Sequence, residues 1–392
     1  MFTALKTNAR TALACTLLAG MALGLGACNR TSTTTTPTTT TTKASAGDVG
    51  TASALPFPVV HEDWAKIGYR LDWVGFPFPT ATGRTKVNFL NVYDDVLVIE
   101  QSDSTVSLLE TSNGQTRWST QLAGPLTKFV GINRDPSNPN NIYVSSESEM
   151  YTVSAANGSL LARDRFNRVV NTAPIIHNNT AIFGCSTGEV MGHVIGRGVK
   201  AWGFMSSGAI EADPVEVDQA VAFVSQSGDV LFFAKAGGLV GRAAIYSGLA
   251  NDPVAENGLL FVAGRDRSIW AFNSTGNQEW RHRTSSPLTA QPTAHKGVLY
   301  VSIPSEGLTA FEQATGKVLW KNANVNGTVI ATRGGRLLVQ TDKELVTLQP
   351  QGGEIVERIP TQGMVRFVTD KFDDGNLYVV SDKANLAKFT PR

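Results

Sequence analysis

The chain has 392 residues, with 34 lysine and arginine residues against 33 aspartate and glutamate residues. This near balance gives no global basic field for nucleic acid and no acidic tail. Glycine is abundant, at 37 residues. Together with the many valine, leucine, isoleucine and phenylalanine residues, this composition is typical of short strands joined by turns.

Residues 1–27 are predicted to be a lipoprotein signal peptide. Lys6 and Arg10 give a positively charged start, residues 11–25 are mostly apolar, and small residues precede Cys28. The tetrapeptide Leu-Gly-Ala-Cys that ends at Cys28 resembles the bacterial lipobox. The resemblance implies that Cys28 is diacylated on its thiol and becomes the first residue of the mature chain. An ordinary signal peptide with a chance cysteine is the alternative.

Residues 28–55 are predicted to be a lipidated cysteine followed by a disordered tether. A threonine-rich tract runs to Thr42, interrupted by Pro37, and small residues continue to Leu55. So few apolar side chains cannot offset the entropy of ordering the segment. Cys185 is the one cysteine left in residues 56–392. The folded part therefore has no internal disulfide and no cysteine-based metal cluster, and Cys185 is interpreted as a small buried apolar residue.

Residues 56–392 contain a repeat of about forty residues. Three clear copies share an apolar residue, a polar turn, a glycine, and a tryptophan four positions later; they end at Trp118, Trp280 and Trp320. The repeated glycines follow one another at intervals of 44, 40, 40, 38, 40 and 37 residues. They are Gly114, Gly158, Gly198, Gly238, Gly276, Gly316 and Gly353.

The repeat predicts propeller blades. A hairpin of alternating apolar and polar residues precedes each glycine, and an eighth hairpin, Leu377–Phe389, ends near the C-terminus. With a strand ending near the tryptophan and another such as Thr289–Thr293, each repeat supplies the four short antiparallel strands of one blade. The segment ending at Trp73 precedes the first hairpin, so we expect it to complete the last blade. The predicted fold class is all-β, one eight-bladed propeller closed by its N- and C-terminal strands. Seven blades with irregular ends is the alternative.

The periodic tryptophans and glycines are interpreted as residues that dock one blade on the next. Because they recur around the whole ring, packing is favoured over a ligand site, which would be local. Ala162, Arg242 and Glu357 are predicted to replace the tryptophan in three repeats. The predicted docking residues are Trp73, Trp118, Trp202, Trp280, Trp320, Gly114, Gly276 and Gly316.

The segment Ala310–Trp320 resembles the tryptophan-docking repeat of the quinoprotein, or PQQ-like, propellers, and Ala271–Trp280 is a second match. With the lipobox, the tether and one eight-bladed ring, the chain is similar to the BamB family of outer-membrane lipoproteins. That similarity implies a non-catalytic, monomeric scaffold, anchored in the cell envelope and facing the periplasm, that contacts the β-barrel assembly machinery. Asn29, in place of an aspartate after the lipidated cysteine, favours the outer membrane in a Gram-negative cell.

Two other classes of function stay open: a dehydrogenase that uses PQQ and calcium, and a propeller that senses a small ligand or glycan. Family dehydrogenases carry neighbouring cysteines and long inserts, whereas this chain has neither. Arg163, Arg165 and Arg168 are interpreted as solvated turn residues, with docking of an acidic partner as the alternative. We therefore predict no catalytic, cofactor-binding or metal-binding residue and no nucleic-acid partner, and the partner-binding residues remain unassigned. The five histidines lack metal-ligand spacing; they are His61, His177, His193, His282 and His295.

Overall fold

The computed structural model describes residues 57–78 and 86–392. The predicted signal peptide, Cys28 and the tether lie outside these residues. The described part of the chain forms one short helix, α1 (His61–Lys66), and 32 strands in eight four-stranded antiparallel sheets. The predicted fold class, an eight-bladed all-β propeller, is confirmed.

Blades 1 to 4 follow one another along the chain, and within each the strands pair in sequence order. They are blade 1, β2 (Val87–Val92), β3 (Val96–Gln101), β4 (Thr105–Glu110) and β5 (Thr116–Gln121); blade 2, β6 (Phe129–Arg134), β7 (Asn141–Ser146), β8 (Glu149–Ser154) and β9 (Leu160–Arg165); blade 3, β10 (Ile175–His177), β11 (Thr180–Gly184), β12 (Glu189–Val194) and β13 (Val199–Met205); and blade 4, β14 (Val215–Val217), β15 (Ala220–Val224), β16 (Asp229–Ala234) and β17 (Leu239–Ala244).

Blades 5 to 7 repeat this order, and blade 8 combines three C-terminal strands with the first strand of the chain. They are blade 5, β18 (Val254–Glu256), β19 (Leu259–Gly264), β20 (Ser268–Asn273) and β21 (Gln278–Arg283); blade 6, β22 (Thr293–His295), β23 (Val298–Ile303), β24 (Gly307–Glu312) and β25 (Val318–Asn322); blade 7, β26 (Thr328–Arg333), β27 (Arg336–Gln340), β28 (Glu344–Leu348) and β29 (Ile355–Pro360); and blade 8, β30 (Met364–Thr369), β31 (Leu377–Ser381), β32 (Leu386–Pro391) and β1 (Tyr69–Gly75).

The first strands of neighbouring blades contact one another and form the inner wall of the ring, and the fourth strands lie outermost. The predicted strand at residues 289–293 is wrong in its position. The structure begins β22 at Thr293 and leaves residues 289–292 in the loop that enters blade 6. The strand begins at Thr293 because the preceding residue, Pro292, has no backbone N–H with which to extend the ladder.

The middle strands of the blades are buried on both faces. Every residue of β3 and every residue of β15 is buried, because each blade is stacked between two others. Eight apolar clusters form the core, one at each interface between neighbouring blades. Cys185 belongs to the cluster between blades 2 and 3. It is fully buried, as predicted, and burial raises the pKa of its thiol to about 12.

The two ends of the chain close the ring. Strand β1 pairs with β32 in antiparallel register, from Tyr69 opposite Pro391 to Gly75 opposite Leu386. In blade 7, Arg333 fixes both ends, since its Nε donates to the carbonyl of Gly68 at 2.9 Å and its guanidinium also donates to the carbonyl of Arg392 at 2.6 Å. The predicted closure of the ring by N- and C-terminal strands is confirmed.

Four indoles make the same contact with the next blade. Trp118, on the outer strand of blade 1, lies over Gly158 of blade 2, where an added β-carbon would stand 2.7 Å from the ring. Its Nε1 donates to the carbonyl of Ala155 at 2.9 Å. Gly158 has a φ of 72°, a conformation that glycine adopts without strain. The equivalent sets are Trp73 with Gly114 and Thr111, Trp280 with Gly316 and Gln313, and Trp320 with Gly353 and Pro350.

The strand register corrects one predicted repeat position. In blade 1, Trp118 lies opposite Leu108, the fourth residue of the third strand. In blade 4 the fourth residue of the third strand lies opposite Gly241. Gly241, and not Arg242, therefore replaces the tryptophan, and the prediction was wrong by one residue because the turn before it contains two consecutive glycines.

Trp202 packs on the first of these two glycines. A β-carbon on Gly237 would stand 2.7 Å from the indole, whereas Gly238 faces open space. At the next junction Gly276 lies against the backbone of Arg242, and a β-carbon on Gly241 would collide with the carbonyl of Thr275 at 2.4 Å. Gly276 is therefore in contact with the preceding blade through backbone and not through an indole.

We expect Trp280→Ala to lower the free energy of unfolding by about 3–5 kcal/mol. The substitution removes a nearly buried indole between blades 5 and 6 and takes away the hydrogen bond to Gln313. Urea denaturation followed by circular dichroism measures the change. Leu319→Ala, at a half-exposed site on the outer strand of blade 6, is the control and should change stability by less than about 0.5 kcal/mol. Equal effects of the two variants would contradict a docking role for the indole.

A matched pair of glycine substitutions separates docking from backbone strain. Gly316 and Gly198 occupy the same turn position with φ of 70° and 64°, so alanine is strained at either by about 1–2 kcal/mol. In Gly316→Ala the new β-carbon would also stand 2.6 Å from the indole of Trp280, whereas at Gly198 it would meet no atom within 4 Å. We expect Gly316→Ala to lose clearly more stability than Gly198→Ala in urea denaturation. The opposite order would rule out the indole contact as the cause.

Candidate protein-interaction surface

Among the outer strands, those of blades 2, 3 and 4 contribute most of the exposed large apolar side chains of the described residues. We call β9, β13 and β17 together the outer surface of blades 2–4. The outer strands of the other five blades contribute two large apolar side chains of comparable exposure, Leu319 and Ile355. The outer surface of blades 2–4 contributes six, each at least 40% exposed: Leu160, Leu161, Val199, Met205, Leu239 and Val240.

Two of these three outer strands lack the docking tryptophan. In blades 2 and 4 the tryptophan position is occupied by Ala162 and Gly241, so no indole bridges to the next blade at these two junctions. Val169, just after β9, is also about half exposed. Exposed apolar side chains bordered by polar ones are typical of protein interaction sites.

Basic side chains border the same surface, and buried carboxylates hold them. Glu149, the first residue of β8, is 9% exposed and accepts hydrogen bonds from Arg163 Nε at 2.9 Å and Arg165 Nε at 3.2 Å. Glu189, the first residue of β12, accepts from Arg168 Nε at 2.8 Å and Lys200 Nζ at 2.7 Å. The carboxylates orient four cations toward the outer edge.

Blade 4 repeats the arrangement with a shorter acid. Asp229, the first residue of β16, accepts a hydrogen bond from Arg242 at 2.8 Å and another from the backbone of Ser207 at 2.7 Å. Burial opposes ionisation of Asp229, but these hydrogen bonds outweigh it and hold the pKa of the carboxyl below its usual range. The pair therefore stabilises the fold above the ordinary aspartate pKa, and this stabilisation is lost as pH falls through the lowered value.

The predicted interpretation of Arg163 and Arg165 as turn residues is wrong. Both lie on strand β9, and Arg168 lies in the loop that follows. The sequence did not reveal these ion pairs, because the paired residues are 14 to 21 positions apart and lie on two strands or, for Arg168, on a loop and a strand. The signal in the sequence is the acidic residue that opens the third strand in three consecutive repeats.

The outer strands also have free backbone edges. Within the described sheets, β9, β13 and β17 each pair on one side alone, with the third strand of their own blade. A partner strand can add to such an edge through main-chain hydrogen bonds, while side chains on the edge strand supply specificity. Apolar side chains, oriented cations and free edges together suit the binding of a protein.

A cavity of about 660 Å³ opens beside the inner strands of blades 7 and 8. Its lining includes the uncharged polar side chains of Ser302, Asn326 and Gln340, the carboxylate of Asp342, and apolar side chains such as Phe367. PQQ carries three carboxylates, yet the described lining residues contain no lysine, arginine or histidine. Nor do the described residues contain a group of three or more histidine, cysteine or acidic side chains placed to hold a metal ion. The residues present do not fit PQQ with calcium.

The predicted lipidation site, Cys28, lies outside the described residues. Within residues 57–78 and 86–392, no helix has the length and apolar character needed to cross a bilayer.

Three solved structures share the fold. BamB from Moraxella catarrhalis superposes with a TM-score of 0.63 at 17% identity, over 78% of this chain and 96% of that one. The computationally designed Ika8 protein gives 0.66 at 11% identity, over 82% and 99%. The C-terminal WD40 domain of Sif2 gives 0.58 at 11% identity, over 82% and 96%. At these identities the likeness shows the propeller architecture alone.

The sequence itself matches one family model. No curated protein matches the chain. The family model described as outer membrane protein assembly factor BamB matches residues 186–324 and 227–389, which together span just over half of the 392 residues. The matched segments run from the third blade to the last strand, so they contain repeats with and without the docking tryptophan. The chain therefore belongs to the family of PQQ-like repeat propellers that this model describes, that of the outer membrane protein assembly factor BamB.

Proposed function

We propose that this chain is a non-catalytic scaffold of the cell envelope that binds a component of the β-barrel assembly machinery. The outer surface of blades 2–4 is the site we assign to that contact. The observation that carries the assignment is its asymmetry: six exposed apolar side chains lie on three consecutive outer strands, against two on the other five. A packing repeat alone would distribute them evenly around the ring.

The charges of this surface indicate the chemistry of the partner. Arg163, Arg165 and Arg168 lie beside Leu161 and Val169, so apolar contact and positive charge come from one area. A partner with apolar side chains flanked by acidic ones is complementary to it. Such charge pairs mainly raise the association rate and select the partner, whereas the apolar contacts supply affinity.

Lipid on Cys28 would hold the propeller at a membrane. One or two buried acyl chains contribute about 0.8 kcal/mol per methylene group, so a diacylated cysteine anchors a protein stably where a single chain does not. Residues 29–55 would then act as a flexible spacer between the membrane and the propeller. In this arrangement the ring is tethered but free to turn its outer surface toward a partner.

The partner contact is testable by crosslinking in the native envelope. Crosslinked wild-type protein should co-purify with components of the β-barrel assembly machinery, identified by mass spectrometry. The double variant Leu161→Glu, Val240→Glu places two charges among the exposed apolar side chains, and we expect it to recover at least tenfold less partner. Leu319→Glu is the matched control, because it changes the equivalent residue, just before the docking tryptophan, on the outer strand of blade 6. Recovery from the double variant equal to that of the control would contradict the assignment.

Lipidation of Cys28 is tested by labelling cells with radioactive palmitate. We expect the wild-type protein to incorporate label and to sediment with membranes, and Cys28→Ser to do neither. The propeller of the variant should unfold at the same temperature as the wild type, because residue 28 is not among the residues that form the described sheets. An unlabelled wild-type protein in the soluble fraction would rule out the anchor and leave the partner contact to be judged by crosslinking.

A further inference from the structure

The junction between blades 2 and 3 contains a cavity of about 200 Å³ at the outer rim of the ring. Binding sites for whole small molecules commonly measure about 300–1,000 Å³, so this cavity is the size of one side chain. It opens on the outer surface of blades 2–4, beside β9 and β13. Its lining residues are Arg165, Asn167, Arg168, Met191, His193, Gly198 and Lys200.

The cavity occupies the place that an indole fills in the preceding junction. Between blades 1 and 2, Trp118 belongs to one apolar cluster with Tyr151 and Val153 and lies over Gly158. The strand register gives the corresponding positions in blade 3. Tyr151, Val153 and Gly158 of blade 2 correspond there to Met191, His193 and Gly198, in that order. All three line the cavity between blades 2 and 3.

The residue that would supply the indole here is Ala162. A β-carbon on Gly158 would stand 2.7 Å from Trp118, but one on Gly198 would meet no atom within 4 Å. Asp164 makes a different contact with blade 3, because its carboxylate accepts a hydrogen bond from the backbone of Gly196 at 2.6 Å. Gly198 therefore keeps the docking conformation, with a φ of 64°, without anything docked on it.

A buried imidazole lies at the wall of this vacancy, because His193 lines the cavity. His193 is 2% exposed, and its Nε2 has no hydrogen-bond partner among the described residues; the nearest acidic oxygen, on Asp164, is 3.7 Å away. Burial lowers the pKa of His193, which favours the neutral ring.

We propose that this vacant docking slot, defined by Ala162, Met191, His193 and Gly198, receives one tryptophan side chain from the protein that binds the outer surface of blades 2–4. Gly198 provides the flat backbone on which the ring stacks, as Gly158 does for Trp118. The guanidinium groups of Arg165 and Arg168 border the slot, where cations pack favourably on an indole face. The identity of the partner rests on the proposed function, whereas the existence of the slot does not.

The occupant comes from another molecule. Residues 29–55, between the predicted lipidated cysteine and the fold, contain no phenylalanine, tyrosine or tryptophan, and neither does the segment 79–85. All seven tryptophans of the chain lie within the described residues. Among those residues, the position equivalent to Trp118 at this junction is an alanine.

Binding of 5-fluoroindole, followed by fluorine NMR, tests the slot without any partner. We expect the full-length wild-type protein to bind the probe saturably and the ring signals of His193 to shift. Ala162→Trp fills the slot from within and should weaken binding at least tenfold. Glu357→Trp is the matched control: it places an indole at the same register position in blade 7, and binding should stay as in the wild type. No saturable binding up to about 10 mM, or equal binding by Ala162→Trp, would overturn the proposal; the upper limit corresponds to about −3 kcal/mol.

The same variants separate the slot from the proposed function. In envelope crosslinking, we expect Ala162→Trp to recover at least tenfold less partner than wild type or Glu357→Trp, with an unfolding temperature no lower than wild type. Equal recovery from Ala162→Trp would overturn the use of the slot while leaving the proposed function standing. If the wild type recovers no partner, both the proposed function and the docking of a partner's tryptophan are overturned. Binding of 5-fluoroindole still tests whether the slot accepts an indole.

Discussion

Packing between neighbouring blades is the interaction on which this molecule depends. The middle strands of each blade are buried on both faces, and the core consists of eight clusters, one at each junction. A blade alone would expose both of its apolar faces. The ring must therefore close, and closure requires the first strand of the chain to pair with the last, with Arg333 bridging Gly68 and Arg392. The stability of each blade therefore depends on closure of the whole ring.

In the proposed function, the partner binds where this packing is interrupted. An indole over a glycine covers the outer end of a junction; without it, the backbones close the junction between blades 4 and 5, whereas the junction between blades 2 and 3 stays open at Gly198. Ala162 and Gly241 stand at tryptophan positions in two of three consecutive blades, and the exposed apolar side chains gather on these same blades. The third interruption, at Glu357, lies beside blade 8, which has no turn joining its third and fourth strands because the chain ends there. That interruption follows from closure and needs no functional explanation.

Sequence alone predicted most of the fold and little of the site. The spacing of the glycines and the eight hairpins indicated the number of blades, because one repeat builds one sheet, and Trp73 indicated the closing strand. The sequence could not show that Gly241, and not Arg242, occupies the tryptophan position in blade 4. The preceding turn contains two consecutive glycines, so the register is set by pairing between strands. The ion pair of Glu149 with Arg163 was invisible for the same reason: the two residues meet through pairing of strands and not through proximity along the chain.

The polar lining of the vacant docking slot explains how the junction between blades 2 and 3 stays stable without an indole. A cavity of apolar walls destabilises a core in proportion to its volume. In blade 3, His193 occupies the position that Val153 occupies in blade 2, and Arg165 and Lys200 border the opening. Water can enter a polar cavity and satisfy such groups, so the junction remains stable while unoccupied. A side chain that displaces this water would gain the contact area that a docking indole provides at the other junctions.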